Sequence, residues 1–240
     1  MTTLIEICRA VADKVQLERP LSIAGSTDPA GQRLLQLAQE AGDEVMRAYD
    51  WQILRKEQTF TALAQEVQTS ILPDDFDRFV AETFWDRTNK QLLTGPIPAV
   101  RYQSLKAEAY ADTPRFFTLR TGAVAVIPDP AGGENYAFEY VSNEWCESSG
   151  GTGQSAWAAD SDVAVVDANL IQFHMTASFL EGEGMPAGFA IGRYLSRLKQ
   201  LIRNERRQAG ILSAGDMFSY RGRHFSGAPG TGAGNIYDGW

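Results

Sequence analysis

At Trp51 the apolar residues of this chain stop recurring every three to four positions and begin to alternate with polar ones. Before that point Leu4, Cys8, Val11 and Val15, then Leu34, Ala38, Ala41, Val45 and Tyr49, each mark one face of an amphipathic helix. Thr3 followed by Glu6 has capping-box spacing, and Asp28 before Pro29 supplies an N-cap and a first helical position. These signals predict helices from Thr3 to about Leu17 and from Pro29 to about Asp50. A sequence with helical period does not sit as a strand, nor the reverse, so the chain must hold two kinds of structure.

After Trp51, WQILRKEQTFTAL reads as extended chain. DDFDRFVAETFW reads as a short helix with Phe76, Phe79, Val80, Thr83 and Phe84 on one face, and a second short helix covers Ala99 to Tyr110. RFFTLR, AVAVIP and NYAFEYVSNEW read as three strands of a small antiparallel unit, joined across Thr121-Gly122 and across DPAGGE. A Ser/Gly segment at 148–155 reads as a linker. Asp162 is then expected to cap a helix apolar nearly all round (Val165, Val166, Leu170, Ile171, Phe173, Phe179, Leu180), ended by Gly182, Gly184 and Pro186. The last helix has Ile191, Leu195, Leu198 and Ile202 on one face, arginines on the other and Gly210 as its stop. The predicted fold is α+β, mainly α. Residues 1–50 and 156–209 form a bundle of about four helices, 51–147 an inserted antiparallel β-rich unit with short helices, and 210–240 an extended C-terminal tail.

Composition narrows the function. The chain is 44% hydrophobic and 22% charged, as ordinary globular proteins are. Thirty acidic against twenty-two basic residues give a net charge of −8, which disfavours nucleic acid and anionic lipid as partners of the bulk surface. Two cysteines and two histidines cannot supply a four-ligand zinc site or a disulfide framework, so neither metal nor cofactor is expected. Glu6 and Arg9 interrupt the apolar N-terminus, which predicts synthesis in the cytoplasm without a secretory signal. Asp167, Asn169, Gln172 and His174 make residues 163–180 too polar to cross a bilayer. The charge is also uneven: residues 193–223 hold eight basic and two acidic residues. They run into a terminus that holds eight of the twenty-two glycines from 210 onward.

Catalytic constellations are sparse. His174, one turn from Leu170 and Ser178, reads as a hydrogen-bonded core or interface histidine, and His224 lies in the glycine-rich terminus, where a catalytic geometry could not be held. Asp74, Asp75, Asp77, Glu82 and Asp86 could be paired carboxylates or oxygen ligands, but an N-cap at Asp74 or Asp75 with helix-dipole acids explains them more simply. Gly150-Gly151-Thr152-Gly153 lacks the Lys-Ser or Lys-Thr of a phosphate loop. No catalytic residue is predicted.

Three ordered elements remain: Leu72-Pro73, Asp75 and Phe76; then Trp85-Asp86-Arg87-Thr88; then Gly95-Pro96 leading into a short helix. Together with Pro128 to Pro130, Phe138 to Trp145 and the layout of two helices before Trp51, the stretch from 71 to 103 resembles a recurring segment of the head-to-tail adaptors of short-tailed bacteriophages, of the tail tubular protein A type. The resemblance spans roughly residues 1–145. It implies a structural, non-enzymatic virion protein at the head–tail junction, a homo-oligomeric ring of twelve subunits (a dodecamer), joined to portal protein on one side and tail nozzle protein on the other. DNA would pass through its channel without specific binding, and no membrane is involved. Asp75, Phe76, Trp85, Asp86 and Arg87 would then serve a subunit or nozzle interface, while Phe218, Tyr220, Arg221, Arg223, Phe225, Tyr237 and Trp240 would anchor the tail on the portal. The competing readings are a virion cell-wall hydrolase using carboxylates of 74–86 and a nucleic-acid binder using the basic 193–223 stretch.

Overall fold

The computed structural model describes residues 2–212, with side chains to residue 207. In chain order the elements are α1 (Leu4–Val15), α2 (Pro29–Arg47), β1 (Arg55–Thr61), β2 (Val67–Gln68), β3 (Phe76–Phe79), β4 (Trp85–Asp86), β5 (Gln91–Leu92) and α3 (Ala99–Ala107). There follow β6 (Phe116–Arg120), β7 (Ala123–Ile127), β8 (Asn135–Ser142), β9 (Cys146–Glu147), β10 (Gly153–Gln154), β11 (Val163–Ala164), α4 (Ala168–Gly182) and α5 (Gly188–Leu212). Residues up to Leu198 form one unit, and the chain from Lys199 belongs to a second, of which the described part is the C-terminal half of α5.

The expected bundle of about four helices with one inserted β unit is not the fold. Among the described residues there are five helices and three separate antiparallel sheets. Helices α1, α2 and α4 pack together through Leu4, Ile7, Cys8 and Val11 of the first, Leu34, Ala38, Ala41 and Val45 of the second, and Leu170, Ile171 and Met175 of the third. The caps of the first two helices follow their sequence signals: Thr3 N–H donates to Glu6 Oε2 at 2.9 Å, and Gly31 N–H to Asp28 Oδ2 at 3.0 Å. Trp145 and Trp157 seal this layer edge to face, with centroids 5.1 Å apart. Trp145 presses on α2 where Gly42 leaves room; a Cβ there would meet the indole at 2.3 Å.

The largest sheet runs β1-β8-β4-β5, with β3 also paired to β8, so that β1 and β5 end the order. A second sheet runs β2-β7-β6 and a third β10-β9-β11. The first two share a core in which Phe84 lies 4.7 Å from Phe117, and Phe79 lies 5.2 Å from Phe117 and 4.9 Å from Phe138. β7 reads as an unbroken apolar run because both its faces are covered: Val124 and Val126 enter the aromatic core, while Ala125 and Ile127 meet Tyr102 and Leu105 of α3.

Several local expectations are corrected. DDFDRFVAETFW is a strand, a turn and a second strand, not a helix. A register shift between Phe76 and Arg78 breaks the alternation, and Glu82 at φ +61° turns the chain, so the phenylalanines fall at helix-like spacing in an extended segment. β6 and β7 do form a hairpin across Thr121-Gly122, both at positive φ. β7 and β8, however, belong to different sheets. Between them the Glu134 carboxylate takes the N–H groups of Ala131 and Gly132 at 2.9 and 2.7 Å, which turns DPAGGE into a crossing between layers. The segment read as a linker at 148–155 forms the turn and second strand of the β9–β10 hairpin, with Ser148 N–H on Thr152 O at 2.8 Å. Asp167, not Asp162, caps α4, because β11 occupies 163–164; Asp162 is buried and instead holds the N–H groups of Ala158 and Ala159 at 2.7 Å. Gly210 does not stop α5, which continues to Leu212.

Candidate functional site

The singled-out residues from 75 to 87 fall into one half-buried polar node, one buried polar node and one outward face. Asp75 follows the Leu72-Pro73 entry and sits against β8. Its carboxylate accepts from Lys56 Nζ at 2.6 Å, Ser142 Oγ at 2.7 Å and the Tyr140 hydroxyl at 2.9 Å, and Lys56 also reaches Glu144 at 2.6 Å. Burial would raise the Asp75 pKa, but these three donors outweigh it and hold the carboxyl below its ordinary value. That is the reverse of what the general acid of a hydrolase requires. Phe76 turns inward to the aromatic core.

The second node is centred on Arg115. Its guanidinium donates to buried Asp86 at 3.1 Å, to Glu134 at 3.2 Å and to the Tyr136 hydroxyl. Asp86 also accepts the N–H groups of Thr88 and Asn89 at 3.0 and 2.9 Å, so it fixes the turn from β4 to β5. Burial pushes the Tyr136 phenol up to about 12, and the carboxylates of Asp86 and Glu134 add to that against the opposing Arg115 charge. Trp-Asp-Arg-Thr thus has a structural logic: Asp86 points in, and its neighbours point out.

Trp85 is that outward neighbour. It stands 43% exposed on the solvent face of the largest sheet, in a row with Ala137 of β8 and Thr59 of β1. Arg87 pairs with Glu57 beside it, and Thr83, Trp85, Arg87, Lys90 and Ala137 line a shallow cavity of about 380 Å³. The aromatic density of 71–103 (Phe76, Phe79, Phe84, Trp85, Tyr102) leads one to expect burial of each ring, in the core or against the next subunit. The structure divides them, with Phe76, Phe79, Phe84 and Tyr102 facing cores and Trp85 facing out.

Elsewhere, His174 is half-buried on α4, edge-on to Tyr194 at 5.3 Å, with Ser178 Oγ 3.5 Å from Nδ1. Burial lowers its pKa against the pull of Glu44, Glu40 and Glu181. Burial likewise pushes the thiols of Cys8 and Cys146 up to about 12, far from the thiolate a nucleophile needs. Among the described residues no cluster of His, Cys, Asp and Glu could hold a metal ion, and no helix is long and apolar enough to cross a membrane. His224 and the proposed portal anchors Phe218, Tyr220, Arg221, Arg223, Phe225, Tyr237 and Trp240 lie outside the described residues.

The feature that sequence reasoning missed is the state of α5. Its start is tethered: Arg193 stacks 4.5 Å from the Phe173 ring centroid, and Arg197 reaches Asp167 at 2.6 Å. Yet none of Ile191, Leu195, Leu198 and Ile202 is buried, although their spacing makes a continuous stripe. The stripe was visible in the sequence; that Leu195 is exposed while Ile191, Leu198 and Ile202 are only partly buried was not. No family model matches the chain, and no curated protein matches it.

The Asp75 node yields a pH prediction. A carboxyl whose folded pKa is depressed contributes stability that is present above its unfolded pKa of about 4 and is lost as pH falls through the lower folded value. Asp75→Asn should cost about 1–3 kcal/mol at pH 7. In acid titrations followed by circular dichroism, the cost relative to the parent should shrink below pH 4 or so.

Proposed function

We propose that this chain is the subunit of a head-to-tail adaptor ring that joins a phage portal to the tail nozzle and continues the DNA channel. The observation that carries the reading is the ordered set of segments at 72–76, 85–88 and 95–96. The structure adds outward apolar side chains of the kind an assembly subunit needs, the exposed Trp85 indole on a sheet face and the exposed Phe189 and Leu195 near the start of α5. An overall charge of −8, with the positive charge gathered in one stretch, suits a channel through which DNA slides without being held.

The test is negative-stain imaging of the purified chain mixed with the portal protein of the same phage. A ring stacked coaxially on the portal is expected; separate portal particles and single chains would end the adaptor reading. A chain ending at Leu212 should no longer attach, because it lacks Tyr220, Arg221, Arg223, Tyr237 and Trp240, the aromatic and arginine side chains that dominate protein interfaces.

A further inference from the structure

The loop between α1 and α2 is held from two sides. The Arg9 guanidinium donates through Nε to Pro20 O at 3.1 Å and through Nη2 to Leu21 O at 3.3 Å. From the other side the Asp160 carboxylate accepts the Ser22 hydroxyl at 2.6 Å and the N–H groups of Ile23 and Ala24 at 2.9 and 2.7 Å, and the Ile23 side chain is buried. Leu21, between these anchors, is 92% exposed. A lone exposed leucine is ordinary on a protein surface. One presented by a loop that is already fixed loses little conformational freedom on docking, which favours its use as a contact.

The cavity at Trp85 has room for such a side chain. Of the charged groups that line it, Asp86 turns in to Arg115 and Arg87 pairs with Glu57. Lys90 is exposed and has no ion-pair partner among the described residues. An indole beside a free ammonium calls for an apolar side chain that brings a negative charge with it. The strongly exposed Ile53, Val100 and Phe189 do not, since each lies close in sequence to an arginine, Arg55, Arg101 and Arg193. The last of these stands over the Phe189 ring at 5.9 Å. Leu21 does: it borders the same surface hollow as Glu18, which is exposed and has no ion-pair partner among the described residues. The adjacent Arg19 is neutralised by Asp13 at 2.6 Å.

We propose that Leu21 of one copy of this chain seats against Trp85 of a second copy, in the cavity between Thr83, Arg87 and Lys90, with Glu18 facing Lys90. Knob and cavity are different surfaces, so the contact is head to tail, and such contacts repeat from copy to copy until a rotation closes them. As an account of how ring subunits touch, it rests on the adaptor reading; as self-association, it is tested without a portal.

The experiment is sedimentation of the full chain from about 1 to 100 µM, where mass action drives association. The parent is compared with Leu21→Ser, Trp85→Ala, Glu18→Lys, Lys90→Glu and the double reversal Glu18→Lys/Lys90→Glu, all at exposed positions and all checked for unchanged circular dichroism. The parent should rise above monomer mass with concentration, and Leu21→Ser and Trp85→Ala should each associate about tenfold or more weakly. Their equimolar mixture should stop at a one-to-one pair, because one supplies an intact cavity and the other an intact knob. Each single charge reversal should weaken association about threefold or more, and the double reversal should regain it, because the opposed charges are then restored with their signs exchanged. A parent that stays monomeric throughout, variants that associate as the parent does, or a double reversal no better than the single ones would overturn the proposal. So would a monomeric parent that attaches to portal and loses that attachment on Trp85→Ala, which would make the cavity a portal-facing surface. Failure of self-association, with a ring still forming on the portal, would leave the adaptor reading standing; failure on the portal alone would leave the contact standing.

Discussion

Replacing Arg115 by methionine should lower stability by about 3–5 kcal/mol, the loss seen when one partner of a buried ion pair is removed. The reason lies in what remains. Asp86 is fully buried and Glu134 nearly so, with side-chain exposures of 0% and 8%, and both face the guanidinium. Without it, two carboxylates share a site with no cation between them. At about 2–4 °C per kcal/mol for a chain of this size, the midpoint of thermal unfolding should fall by roughly 6–20 °C. The pH dependence gives a second check. Stranded buried carboxylates have raised folded pKa values and shed their penalty by taking up a proton, so the gap to the parent should narrow between pH 7 and about 5. A gap that stays constant, or a loss under 1 kcal/mol or so, would mean that backbone N–H donors alone satisfy Asp86 and Glu134.

A comparable effect is expected at Trp145. Its ring is completely buried, its Nε1–H donates to Asp43 at 2.9 Å, and it fills the notch that Gly42 leaves in α2. Trp145→Ala should cost about 3–5 kcal/mol. Gly42→Ala alone should also destabilise, by about 1–3 kcal/mol, because the new methyl meets a ring held on both sides. In the Trp145→Ala background the sign should reverse, since the methyl then enters free space and the helix gains roughly 1 kcal/mol of propensity. Denaturant titration of the four proteins measures this coupling directly, and simple additivity would show that ring and glycine do not constrain each other.

These two sites also show what could be read from the sequence. The caps at Thr3 and Asp28 and the faces of α1 and α2 were legible because each signal is complete within a few residues. The turn at Thr121-Gly122 was legible for the same reason. The segment 74–86 was not, because an irregular register and a left-handed Glu82 give phenylalanines the spacing of a helix. The Arg115 node joins residues 86, 115, 134 and 136, and nothing local announces that they meet. Trp85 and Asp86 were picked out together, yet only pairing with β8 decides that the first faces solvent and the second the interior. In the same way, periodicity located the stripe of α5 but could not say that Leu195 would stand exposed while Ile191, Leu198 and Ile202 are only partly buried.

The pairing of β1 with β8 has a consequence for how the molecule comes into being. Arg55 is registered against Val141 and Thr61 against Asn135, so the edge of the largest sheet cannot form until some eighty residues have closed a loop. The helical layer waits longer still: Thr3 bridges Val163, and α1 packs on α4. Domains dominated by such distant contacts fold in milliseconds to seconds rather than microseconds. On the ribosome, the first helix must remain without its partner until α4 has emerged. During that interval the apolar surfaces of α1 and α2 that α4 covers in the finished fold are open to other chains, which makes the emerging protein prone to aggregate until the late helix arrives.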